Sequence, residues 1–192
     1  MHIPFEAITV GAWLAWLLYW AWSARGVKPA SRVESPLSRF GKYSLPIIVA
    51  VVLLQPLGVF SGTVLDRSFV PSSLWIVWLG LLMTIAGLLF ACWARAILGR
   101  NWSGVVQLKQ DHELIEAGPY RYVRHPIYSG LLLAFFGTAL MIGEWRALLA
   151  VAIIAVSFWR KLRLEERWLG EYFGDAYADY MRRVKALVPG LL

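Results

Sequence analysis

The sequence predicts an all-α integral membrane protein with about five transmembrane helices, the last two forming a helical hairpin. Of its 192 residues, 59% are hydrophobic and only 16% charged, against about 45–50% and about 25% in soluble domains. Apolar runs recur near the roughly 20-residue length that a bilayer core requires. Nineteen Lys and Arg against twelve Asp and Glu give a formal charge of +7, and the cations gather in alternate connections, as cytoplasmic loops do. This composition excludes a disordered tail and argues against a soluble globule. A clustered Cys/His zinc site is excluded as well, because the chain has one cysteine and three histidines; Cys92 reads as helix packing.

The first helix covers 5–22, with one early acid, Glu6, and a run of Leu, Ala and Trp. It lacks the basic leader of a cleaved signal and reads as an anchored span. The second covers 44–60, with Pro46 near its start and Pro56 near its end, a pattern that membrane helices tolerate. The third covers 74–98 and is the longest, consistent with tilt or extension past the interface. Two apolar runs, 128–142 and 145–159, are separated only by Gly143 and Glu144 and form the hairpin, either spanning or sitting shallow. Trp13, Trp16, Trp20, Trp75, Trp78 and Trp93 read as packing or interface anchors.

Arg25, Lys28, Arg32, Arg39 and Lys42 follow the first helix, and Arg95, Arg100, Lys109, Arg121 and Arg124 cluster around the third helix end and its connector. Arg160, Lys161, Arg163, Arg167, Arg182, Arg183 and Lys185 lie in the tail. The loop after the second helix has only Asp66 and Arg67, and the hairpin turn only Glu144 and Arg146. This alternation predicts an outside amino terminus and a cytoplasmic carboxyl terminus. It also argues against nucleic acid as a partner, since the cations form no single stripe. The whole chain reads as one membrane domain, with helices in 1–98 and a functional core in 99–192.

A connector, 99–124, and a tail, 160–192, flank the hairpin, so its return brings them together at the membrane surface. The connector ends Gly118-Pro119-Tyr120-Arg121-Tyr122-Val123-Arg124-His125-Pro126-Ile127-Tyr128-Ser129-Gly130. Gly-Pro marks a turn, and His125 before Pro126 is biased away from helix, so a helix starts at the proline. By itself this segment also reads as an interfacial belt of Tyr and Arg. The tail continues the fifth helix out of the bilayer and places Glu165 and Glu166 where it emerges; taken alone, these acids pair with Lys161, Arg163 or Arg167. A final amphipathic helix, with Tyr177, Tyr180, Val184 and Leu187 on one face, caps the site or lies on the membrane, and Val188-Pro189-Gly190 ends it. Strand signal is slight, and no Gly-rich dinucleotide fingerprint follows a strand, which excludes a soluble Rossmann-type enzyme.

Several pieces occur in one order: Asn101-Trp102-Ser103, Gln107, His112-Glu113-Leu114-Ile115, the Gly-Pro-Tyr-Arg-Tyr-Val-Arg-His-Pro-Ile-Tyr-Ser-Gly run, Glu165-Glu166, and Phe173-Gly174-Asp175 with Tyr177 and Tyr180. In these the chain resembles the isoprenylcysteine carboxyl methyltransferase family and, more broadly, membrane methyltransferases that include phospholipid N-methyltransferases. The resemblance implies S-adenosylmethionine as cofactor, leaving as S-adenosylhomocysteine, in a cytoplasmic pocket built from the connector and the tail helix. It implies Gln107, His112, Glu113, Leu114, Ile115, Tyr120, His125, Pro126, Ile127, Tyr128 and Glu165 as cofactor contacts. It also implies an arginine four residues before Glu165 as the contact to a substrate carboxylate. Here that position is Lys161, flanked by Arg160 and Arg163. A lysine gives a point charge and not a two-pronged fork, so all three cations are candidates.

The implied reaction is methyl transfer to a carboxylate or similar nucleophile of a lipophilic small molecule or lipidated substrate. A carboxylate is already deprotonated near neutral pH and needs no general base; orientation and desolvation carry the rate. Three alternatives stand beside it: an amine acceptor such as a phospholipid headgroup, a nicotinamide-dependent membrane reductase, and a non-enzymatic helical scaffold.

Overall fold

The computed structural model describes residues 5–56, 58–102, 107–109 and 113–191. Five long helices and one short one form most of it: α1 (Phe5–Ser23), α2 (Pro36–Leu54), α3 (Leu74–Leu98), α4 (Pro126–Ile142), α5 (Trp145–Phe173) and α6 (Asp175–Arg183). By length and composition, α2 and the Leu74–Asn101 stretch that continues α3 suffice to cross a bilayer, and α4 is a shorter apolar helix.

Three helix boundaries differ from the sequence expectation. α2 begins at Pro36, not at 44, because Ser35 caps it by accepting from the Ser38 amide at 3.4 Å and Pro36 fits the first turn. A π-type turn at Phe40–Ser44 widens the helix just before Pro46, whose ring would clash with an ordinary preceding turn. Ahead of Pro56, Gln55 is extended, so the helix ends at Leu54 and not at 60. As the sequence predicts, α5 continues past the apolar stretch that ends at Trp159 and runs unbroken to Phe173.

The third difference is at the tail. α6 stops at Arg183, and Val184 turns extended. Residues 184–187 do not continue the helix face but lie beside the approach to α4, with Val123 bridging Lys185 in parallel. Arg124 and His125, held out of helix before Pro126, donate their amides to the carbonyls of Lys185 and Ala186 at 2.8 and 3.0 Å. Buried amides need such acceptors. One further element escaped the sequence pattern: Ala30–Val33 (β1) pairs antiparallel with Gln107–Lys109 (β2), with Arg32 opposite Leu108.

α3 and α4 form the tightest pair. Their contact is a stripe of small residues in which backbones touch, as is usual between membrane helices. A Cβ on Gly87 would lie 2.4 Å from the Gly130 carbonyl oxygen, and one on Gly130 would lie 2.6 Å from that of Gly87. Thr84 satisfies its hydroxyl on the Gly80 and Ala134 carbonyls. α1 then packs on α3, and α2 on α5. Their outer faces are exposed apolar surface, including Leu14, Leu18, Ile48 and Val52.

The hairpin turn is joined to the α2–α3 loop: Phe69 donates to the Gly143 carbonyl, and Trp145 to that of Arg67. Phe5 packs edge-on against Trp78 at the same end. The ribbon, the connector and the tail occupy the other end.

Candidate active site

Because α1 and α2 lean on different helices, a cavity of about 1520 Å³ remains between them, α4 and α5. Single small-molecule sites occupy about 300–1,000 Å³, so this one has room for two ligands. Its middle is apolar, walled by Trp13, Trp16, Ile47, Val51, Phe135 and Phe158. Its connector end is polar and aromatic.

That polar end is built where α4 begins and α5 leaves the bundle. Tyr128 lies three residues after His125, on the first turn of α4, and the two rings stack at 5.5 Å. The Tyr128 hydroxyl donates to Glu165 Oε2 at 3.0 Å, and His125 Nδ1 lies 3.9 Å from the same oxygen. Glu165 retains 37% side-chain exposure and lines the cavity. Its neighbour Glu166 is turned about 100° around the helix and is buried. It accepts from Arg124 Nη2 at 2.6 Å and Nε at 2.9 Å, and its Oε1 lies 3.2 Å from His125 Nε2. Both imidazole nitrogens therefore face carboxylates.

Burial acts to raise the Glu166 carboxyl, and the hydrogen bond and charge of His125, followed by those of Arg124, outweigh it and hold the group below its ordinary value. Arg124 also donates to the Met181 and Val184 carbonyls, which ties the tail to the approach loop. Tyr180 donates to the Tyr120 carbonyl at 2.6 Å. Burial raises the phenols of Tyr120, Tyr177 and Tyr180, so all three stay neutral. Two cavity-lining residues, each over nine-tenths buried, keep an unused polar atom: the Tyr177 hydroxyl and Asn101 Oδ1. Trp16 Nε1 is a third unpartnered atom on the wall. Unpaired buried groups are costly, so these three suit a polar ligand.

Of the residues singled out from sequence, Glu113, Leu114, Ile115, Tyr120, His125, Ile127, Tyr128 and Glu165 line this cavity. Pro126 is buried behind it as the first residue of α4. Gln107 sits in β2, and His112 lies outside the described residues. Among the three candidate cations only Lys161 reaches the wall, with Nζ 5.6 Å from the Tyr128 ring centre. Arg160 and Arg163 are exposed and do not line it. Glu165 and Glu166 have partners across the fold, on α4 and its approach loop. Trp13, Trp16 and Trp20, read as anchors, are cavity wall, whereas Trp75 is 83% exposed. Sequence reasoning also left Arg124 without a role. Its position beside a non-helical His-Pro was the available signal.

Residues 75–176, more than half of the chain, match the phospholipid methyltransferase family. The chain belongs to that family. Among similar proteins, protein-S-isoprenylcysteine O-methyltransferase B of Arabidopsis thaliana is 32% identical over 118 residues, which are 60% of this chain and 60% of the relative. Protein-S-isoprenylcysteine O-methyltransferases of Schizosaccharomyces pombe and Rattus norvegicus are 33% identical over 94 residues and 34% over 134, covering 47% and 65% of this chain and 40% and 46% of theirs. The chain thus spans about half the length of these curated relatives. The family match runs from the start of α3 to the start of α6, so this phospholipid methyltransferase family member carries the whole polar end inside or beside the matched region.

Proposed function

We propose that this chain transfers a methyl group from S-adenosylmethionine to a carboxylate, isoprenylcysteine-like, or a similar nucleophile of a lipophilic substrate. The observation that carries the reading is one continuous cavity, polar at the connector end and apolar along the helices. The residues fit such a donor: a carboxylate open to the cavity at Glu165, unused polar atoms on Tyr177 and Asn101, and neutral aromatic rings around them. Bound there, the donor supplies a sulfonium-activated methyl group. Glu165 would bind a polar or cationic part of it, and the Tyr128 ring would lie against the sulfonium or the base.

Lys161 would hold the acceptor anion at the junction of the two compartments. The Glu166–Arg124–His125 cluster would position Glu165 and Tyr128, with Arg124 and His125 themselves lining the cavity. Trp13, Trp16 and Phe135 would receive the acceptor's hydrocarbon and exclude water, so the chain's part is orientation and desolvation. We infer a multi-pass arrangement of five spans with the amino terminus outside and the carboxyl terminus cytoplasmic, supported by the basic connections at the polar end. Calorimetry with S-adenosylmethionine tests donor binding. Radiolabelled methyl transfer to lipophilic acids, thiols and amines tests the acceptor.

The family description favours a second acceptor class, a phospholipid amine. An amine must lose a proton before attack. Methyl transfer that rises with pH along the amine's deprotonation supports that class, and a profile flat across neutral pH supports the carboxylate.

A further inference from the structure

A second, smaller pocket of about 420 Å³ lies outside the cavity just described, between the carboxyl ends of α1 and α3. Tyr19, Trp22, Arg25, Arg95, Gly99 and Arg100 contribute to it, and no acidic side chain among the described residues lines it. Three guanidinium groups facing one small space repel each other unless an anion joins them.

The three arginines differ in what they already do. Arg95 is 3% exposed. It donates to the carbonyls of Ser23 and Gly99 and lies 4.4 Å over the Trp102 ring. Those carbonyls end α1 and α3, where the helix dipole is negative and would oppose an anion; Arg95 neutralises them. Its Nε remains buried without a hydrogen-bond partner. Arg25 and Arg100 are exposed and have no ion pair among the described residues. The pocket therefore holds two uncommitted cations in front of a third that has already cancelled the local carbonyl charge.

The aromatic residues fix where this charge sits. Trp22 is 65% exposed and packs against Tyr19, whose hydroxyl reaches the Cys92 carbonyl. Tyr and Trp gather at headgroup depth, and basic pockets between membrane helices bind anionic headgroups. We propose that this pocket is a binding site for the phosphate of an anionic phospholipid from the surrounding leaflet, with Arg25 and Arg100 as its principal contacts. The lipid would clamp α1 to α3, and so hold one wall of the large cavity in place. The site is independent of the methyl-transfer reading, since neither Arg25 nor Arg100 lines the large cavity.

The test uses the full chain in phosphatidylcholine nanodiscs titrated with phosphatidic acid, followed by native mass spectrometry and by the ³¹P resonance of the added lipid. Saturable retention of one phosphatidic acid is expected, weakened about thirtyfold in Arg25→Gln/Arg100→Gln at roughly one headgroup interaction lost per arginine. The charge-keeping Arg25→Lys/Arg100→Lys variant should retain most of it. S-adenosylmethionine binding, read in parallel, should be unchanged in both. Equal retention by the Gln variant, or equal retention of phosphatidylcholine, overturns the site. Displacement of the lipid by equimolar inorganic phosphate overturns the lipid assignment. Should the Gln variant not fold, a phosphatidic acid resonance that does not move with wild-type protein overturns it equally.

Discussion

The two halves of the large cavity are held by different physics. The wall formed by α4, α5 and the tail is fastened by directional bonds: Glu166 to Arg124 and His125, Tyr128 to Glu165, Tyr180 to the Tyr120 carbonyl, and Ser129 to the Leu187 carbonyl at 2.6 Å. The wall formed by α1 and α2 is lined by apolar and ring contacts along its middle, crossed by the Trp13 to Thr138 bond at 3.1 Å, and is bonded at its ends, where Arg146 donates to the Leu53 and Gln55 carbonyls at 2.7 and 2.6 Å and Arg95 to that of Ser23. The family match covers α4 and α5 of the first wall and omits the second wall. The difference teaches that the polar end is built to one geometry, while the apolar middle of the other wall, between its bonded ends, can change shape at smaller cost.

The most damaging way to test the contrast is Glu166→Ala. It leaves Arg124, with 8% side-chain exposure, and buried His125 without their carboxylate. Breaking a buried pair costs about 3–5 kcal/mol, so thermal unfolding in detergent should shift sharply. The sign of its pH dependence is fixed as well. Glu titrates near about 4.3 when unfolded, and the folded carboxyl lies lower. Its contribution is therefore complete above the unfolded value and is lost as pH falls through the folded one. Wild-type stability should drop in that acid window, and Glu166→Gln should show a flatter profile.

Glu165→Ala probes the same wall without its buried network. Loss of a charge-assisted hydrogen bond to the donor, about 1.5–3 kcal/mol, should weaken S-adenosylmethionine binding about ten- to a hundredfold by calorimetry, with the unfolding midpoint nearly unchanged. A large loss of stability instead would show that Glu165 belongs to the scaffold. Gly130→Ala tests the rigid base of both walls. Its Cβ would meet backbone atoms of Gly87 and Ala91, which cannot move aside, and overpacking costs about 1–3 kcal/mol. The smallest effect is expected from Trp16→Phe on the slack wall: a severalfold change in acceptor KM with donor affinity unaltered. A change in donor affinity equal to that in Glu165→Ala would erase the distinction between the walls.

Legibility in the sequence followed the same division. The approach to α4 could be read because Gly-Pro and His-Pro restrict the backbone wherever they occur, and the emergence of two acids from an apolar helix marked α5. Which acid faces the cavity came from the family resemblance and not from the residue pattern, since adjacent residues of a helix point about 100° apart and only the partner on another element decides. Trp13, Trp16 and Trp20 look the same whether a helix faces lipid or a chamber. The β1–β2 ribbon escaped because strands this short have no detectable period. Arg160 and Arg163 were separated from Lys161 by helix rotation alone.

The joining of residues 185–187 to residues 124–129 has a consequence for biosynthesis. A ribosome adds Arg124 and His125 long before it adds their acceptors at Lys185 and Ala186, so the chain emerges with its chamber open at one end. Closure waits until translation passes Leu187. A nascent chain stalled a few codons earlier would have every described helix and no floor at the polar end, so the chamber is completed only once residues 185–187 are made.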